Sequence, residues 1–312
     1  MSLAAKLPYD HAFAGGYPGI GSQPLPTDAD AIDYLSRMAT ADGAGVETGV
    51  AVAVDAFFRD LKATGQEYDG LYRTTFESLK ACCILAGART LAGALVPVVG
   101  TAPTNLPVAN GFVEGDYTRG GATPGLAGDG TSYLDSGYAY PAALQNDCHI
   151  STFVTERPSV GLLAGYGDSL GSGTLIGMAL CRVYNMHTAT FYPSDTTSVG
   201  LRAANRGNSA SFVYRRASAN ETASIASTSV THLNMAVFAR QRNTLTPDSI
   251  TNATIAFYSI GTALSLEDLD TAVTNLINRL KFALLVGENP SGLDPDTIDY
   301  VVRGYEAGGS LE

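Results

Sequence analysis

The chain has 312 residues and a formal net charge of −11, with 19 Lys and Arg against 30 Asp and Glu. Charged residues make up only 16%, against roughly a quarter in an average soluble protein, and 23 Ser and 30 Thr take their place. Hydroxyl side chains are common on exposed sheet faces. An acidic chain without a basic tract is a poor ligand for polyanions, which argues against a nucleic-acid partner.

The four lysines are Lys6, Lys62, Lys80 and Lys281, so the stretch 81–280 has none. That stretch therefore holds no Walker A loop, Schiff-base lysine or Ser-Lys dyad. Its most apolar window, 81–100, is broken by Arg89 and Pro97, so membrane insertion is not expected. Residues 1–11 lack the apolar run of a secretory leader. Cys82, Cys83, Cys148 and Cys181 show no C-x-x-C spacing and read as reduced, buried thiols of a cytoplasmically made protein. Neighbours Cys82 and Cys83 would point to opposite faces of any strand.

In chain order, residues 1–27 are rich in Gly and Pro and predict an extended arm. A helix is expected to open at Thr27 or Asp28, with Ile32, Leu35 and Met38 on one face, and to end at Gly43 to Gly45. Val46, Val50, Val54, Phe57, Phe58 and Leu61 form a second helical stripe that stops near Gly65. Leu71 to Leu79 reads as a further short helix. Beyond residue 81 the period changes to short strands closed by turn residues: 149–155, 160–166, 174–184, 187–192, 199–203, 211–216, 222–228, 232–240 and 253–260. No helical pattern separates them, so an antiparallel sandwich or barrel is expected. Ser265 to Asp268 then caps an amphipathic helix over 265–284. The expected organisation is an arm (1–27), a helical docking segment (28–80), a sandwich with its closing helix (81–286) and a tail (287–312).

Few residues point to chemistry. Gly167-Asp168-Ser169-Leu170-Gly171 matches the G-x-S-x-G nucleophile elbow, and Ser169, Asp195 and His232 have a permitted triad order. The elbow needs a helix after the serine, yet Thr174 to Met178 reads as a strand. A hairpin turn is therefore the expected reading, with a serine hydrolase at Ser169 as an alternative. His11, His149, His187 and His232 lack metal-ligand spacing, and three of them open expected strands, where a structural or surface role is the default. Asp28-x-Asp30 and Asp294-Pro295-Asp296 lack the glycine and final Glu of a calcium loop. No catalytic residue, metal or cofactor is expected, and the chain reads as not an enzyme. The 16 Tyr with no Trp stand out. Asp129, Asp135, Tyr138 and Tyr140 are candidates for contacting a host surface glycan or a protein partner, since Tyr offers area with a polar tip. The plain alternative is that sandwich edges favour Tyr.

Two stretches carry a resemblance. The first runs Phe112-Val113-Glu114-Gly115-Asp116-Tyr117, then Gly125-Leu126-Ala127-Gly128-Asp129-Gly130-Thr131-Ser132-Tyr133-Leu134-Asp135-Ser136-Gly137. The second runs Ala256-Phe257-Tyr258-Ser259-Ile260-Gly261, then Leu264-Ser265-Leu266-Glu267-Asp268-Leu269. Together they resemble the laminin-G/concanavalin A-like domains of structural proteins in tailed bacteriophages. There, a G-L-x-G-x-G-(S)-x-Y-L-D-(T/S)-G block opens the sandwich and a Y-S-I-G-x-x-L strand leads into a closing helix. The resemblance spans about 48–284. It implies a mainly β, antiparallel jelly-roll sandwich with an N-terminal helical lead-in and a C-terminal helix packed on it. It further implies a virion protein assembled in the host cytoplasm, as capsid decoration, head appendage or tail-fibre component. Its partners would be other virion proteins and copies of itself. The paired carboxylates of related glycosidases, E-x-D-x-x-E, are absent from the sequence.

Overall fold

The structure is a computed structural model that describes residues 26–68, 70–167, 173–177, 183–187, 199–216, 218–229, 233–242 and 245–288. It begins with helices α1 (Ala29–Asp42) and α2 (Thr48–Ala63). A hairpin of β1 (Gly65–Tyr68) and β2 (Leu71–Thr74), then one turn α3 (Thr75–Ser78), lead into β3 (Leu79–Ile84). Next come α4 (Leu91–Ala94), β4 (Pro97–Val99), β5 (Thr104–Leu106), β6 (Tyr117–Thr118), β7 (Gly125–Ala127) and β8 (Tyr133–Ala139). The long strand β9 (Cys148–Glu156) is followed by β10 (Leu162–Gly167), β11 (Gly173–Gly177), β12 (Val183–His187) and β13 (Gly200–Arg206). The chain then forms β14 (Phe212–Arg216), β15 (Ala219–Ala223), β16 (Asn234–Val237), β17 (Arg240–Arg242), β18 (Leu245–Asp248), β19 (Thr254–Gly261) and α5 (Leu266–Glu288).

The strands make two large sheets. The first runs β15-β14-β13-β9-β19-β3-β4, with β7 also on β19 and β6 on β7. The second runs β12-β11-β10-β16-β8-β5. Among the described residues, pairing is antiparallel apart from one parallel bridge, Tyr166 to Gln241. The sheets face each other across an apolar core that includes Cys83, Ile150, Tyr258, Leu134 and Val237. The opposite face of the first sheet is covered by α1, α2 and α5, burying Cys82, Phe153, Phe257, Phe57 and Leu276. The protein is thus a sandwich-like, mainly β fold with a helical layer on one sheet.

Strand alternation decides which core each residue joins. On β3, Cys82 faces the helices while Cys83 faces the second sheet, as the sequence requires of neighbours. Cys82, Cys83 and Cys148 are buried free thiols, and burial pushes Cys83 up to about 12. Cys181 lies outside the described residues.

Local chemistry sets the helix ends. The Asp28 side chain accepts from the Asp30 and Ala31 amides and caps α1, while Gly43 ends it in the left-handed region at φ 65°. The Ser265 hydroxyl accepts from the Asp268 amide at 3.2 Å at the start of α5. Two expected elements are corrected. Leu71 to Leu79 is not a helix, because the Thr74–Glu77 capping box closes a single turn between two strands. The expected strand 174–184 is two strands, β11 and β12.

Candidate functional site

The four residues singled out from the sequence do not converge. Asp129 is exposed, but its carboxylate is spent within its own turn. It accepts from the Thr131 and Ser132 amides, both at 2.7 Å, and from both hydroxyls. Partial burial raises its pKa, yet these hydrogen bonds win and hold it below the usual carboxylate range. Asp135, in β8, accepts from the Gly137 amide at 2.8 Å and from Asn234 Nδ2 at 3.3 Å. Tyr138 is half-buried, and burial pushes its hydroxyl up to about 12. Tyr140 is the clear correction: it is fully buried, and its hydroxyl donates to the His149 carbonyl oxygen. A ring enclosed by the core cannot stack on a sugar. Among the described residues its ring meets that of Tyr138, edge-on at 5.5 Å and 84°. Position beside a predicted turn could not distinguish it from Tyr138, because Tyr suits both settings.

Ser169, Asp195 and His232, the residues of the hydrolase alternative, lie outside the described residues. So does Asp294-Pro295-Asp296. Asp28 and Asp30 are held by Lys62, whose Nζ donates at 2.7 Å and 2.5 Å. Among the described residues, no three His, Cys, Asp or Glu side chains come together as a metal site.

A polar cluster among the described residues gathers around a histidine whose sequence setting predicts a structural or surface role. His149, Ser151 and Ser259 are fully buried on the helix-facing side of the first sheet. Register brings them together: on β9 and β19, Ser151 pairs with Ser259 and His149 with Gly261. His149 Nδ1 lies 2.6 Å from the Thr262 carbonyl oxygen, which can only accept, so Nδ1 carries the proton. Nε2 then accepts from Ser259 Oγ at 2.9 Å, and Ser259 Oγ lies 2.7 Å from Ser151 Oγ. Burial lowers the imidazole pKa to about 4. A neutral histidine beside a serine hydroxyl is a nucleophile–base pairing in form. Here every member is sealed from solvent, so no substrate reaches it.

The cluster instead ties elements together. Beside it, Asp147 accepts from Arg73 Nη2 and from the Ala263 amide, both at 2.8 Å. Asn205 accepts from the Leu264 amide at 2.9 Å and donates to the Tyr68 hydroxyl at 2.9 Å. Tyr68 in turn donates to the Leu264 carbonyl oxygen at 3.2 Å. One polar belt therefore joins the β1–β2 hairpin, β9, β13, β19 and the entry to α5. A signal was present in the sequence: His149-x-Ser151 alternates onto one face of a strand, opposite Ser259 of the Y-S-I-G block.

No family model and no curated protein matches the chain. Among solved structures it is similar to a mutant of Trypanosoma rangeli sialidase displaying trans-sialidase activity, at 10% identity and a TM-score of 0.39. The match covers 74% of this chain but only 39% of that one, so this chain spans well under half of its length. That neighbour is an enzyme, which stands against the expectation that the chain is not an enzyme, but a likeness at this TM-score carries no argument about what this chain does. No residue role passes from the neighbour to this chain at that similarity.

Proposed function

We propose that the chain is a structural protein of a tailed-bacteriophage virion, a concanavalin A/laminin-G-like jelly roll displayed on the particle as capsid decoration, head appendage or tail-fibre component. The observation that carries this reading is where the two resembling blocks fall. Gly125 to Gly137 supplies β7 of the first sheet and opens β8 of the second, so it crosses between the layers. Ala256 to Gly261 lies on β19, inside the first sheet, and runs directly into α5. One stretch bridging the two layers and the other joining the first sheet to its helical cover is what supports this reading, although β3, β4 and β5 precede the first of them.

In this reading the partners are other virion proteins and further copies of the chain, joined in the host cytoplasm. Docking falls to surfaces outside the core. Helices α1 and α2 bury one face against the first sheet, whereas Leu71 and Tyr72 on the hairpin are 67% and 64% exposed. A glycan-binding reading is not favoured, since Tyr140 is enclosed and Asp129 is consumed by its turn. The test is protein mass spectrometry of particles banded by density from the strain that carries the coding gene. The chain is expected in the band at a fixed ratio to the major capsid protein. Its absence from the band, with abundant free protein in the lysate, would contradict the proposal.

A further inference from the structure

An open cleft of about 320 Å³ lies between β9, β13 and the flank of α5. Its size is at the lower end of small-molecule pockets, roughly 300–1,000 Å³. Ala122, Val199 and the edge of Phe153 give it an apolar floor over the buried Leu201 and Ile277, and Asp270, Asn278 and Lys281 of α5 line one wall. Positions 270, 274, 278 and 281 step by three and four, so they share one helix face.

The charges on this wall do not cancel. Asp270 is already neutralised, because Arg215 Nε donates to it at 2.7 Å and both side chains are only 7% exposed. Lys281 is different. Lys62 binds two aspartates and Lys80 donates to the Glu77 carbonyl oxygen, but Lys281 has no hydrogen bond or ion pair to any described residue. It is half-buried, and burial lowers its pKa with no acid nearby to offset the effect. An ammonium that gives up hydration without gaining an acceptor is destabilising unless an anion supplies one. Among the described residues the local charge is therefore positive, on a chain whose total is −11.

We propose that this cleft binds a small organic anion, with a carboxylate at Lys281 and an apolar body against Ala122, Val199 and the edge of Phe153. The apolar floor favours such a ligand over an inorganic anion, and the cationic wall favours it over an amine. The inference rests on the cleft alone and stands apart from the virion reading.

Nuclear magnetic resonance titrations of the full chain with benzoate, benzylamine and inorganic phosphate test it. Benzoate is expected to shift the amides of Leu201, Asn278 and Lys281 saturably, while benzylamine and phosphate at equal concentration leave them in place. Lys281→Met should weaken benzoate by about tenfold or more, the loss of one charge-assisted contact. Lys281→Arg should retain binding. Thr274→Phe keeps the charge but fills the cleft, and should also abolish binding. Absence of saturable shifts with benzoate, equal response to phosphate, or unchanged affinity in Lys281→Met would each overturn the proposal. The comparison of three probes needs no variant, so a misfolded mutant does not spare it.

Discussion

His149 shows how one buried side chain makes the fold sensitive to acid. Its pKa is about 4 in the folded chain, against roughly 6.5 when unfolded, so the unfolded state binds the proton first as pH falls. Stability is therefore complete above pH 6.5 and declines down to about pH 4, by about 3 kcal/mol from this group. Asp147 and Lys80 are the charged neighbours that act on it, and they pull in opposite directions. The depressed carboxylates Asp28, Asp129 and Asp248 lose their contribution only as pH falls through their own, lower range. Urea unfolding at a series of pH values should thus show a slope between pH 6.5 and 4.5 that His149→Gln removes. An unchanged slope in that variant would assign the acid sensitivity elsewhere. At the same scale, Asp270→Ala leaves Arg215 buried without its carboxylate and should cost about 3–5 kcal/mol. Replacing both by apolar residues should cost much less, which thermal unfolding of the single and double variants would read.

Among the elements, those with a strong period were legible and those decided by packing were not. The α5 stripe of Leu269, Val273, Leu276, Ile277 and Leu280 is buried throughout, and Asp28 and Ser265 cap the helices expected of them. β3 is less obvious, because Ala81 to Ile84 is apolar on both faces, as a strand buried between two layers requires, while Lys80 before it is exposed. The spacing of 71–79 suggests a helix for a different reason, its ends being apolar, but Leu71 is exposed while Leu79 is buried, so they share no helical face. The glycine of the Y-S-I-G block also has a physical role. A Cβ on Gly261 would strike the Ser78 carbonyl oxygen, where β19 passes the turn before β3. Gly261→Ala should therefore destabilise by about 1–3 kcal/mol through overpacking. Phe257→Ala, which removes a fully buried ring 5.9 Å from that of Phe57, should cost about 3–5 kcal/mol. Chemical denaturation of both variants checks the pair.

For the molecule as a whole, the helical layer is not an appendage. The helices and the first sheet share one core that contains Tyr34, Leu35, Phe57 and Phe58 from α1 and α2 together with Leu276 and Leu280 from α5. A chain truncated before Leu266 should bind a hydrophobic dye and precipitate, because Phe257, Leu201 and Cys82 would lose their cover. Soluble yield and dye fluorescence against the full chain measure this. The sandwich was legible in the sequence from its short, evenly punctuated strands. The polar belt around His149 was not, because it depends on a register between strands more than a hundred residues apart. Display on a virion is the claim on which the functional account stands, and gold-labelled antibody against the chain, imaged on intact particles, tests it most directly. Label at regular positions on the particle surface is the expected result, and unlabelled particles from an antibody that captures the free protein would contradict it.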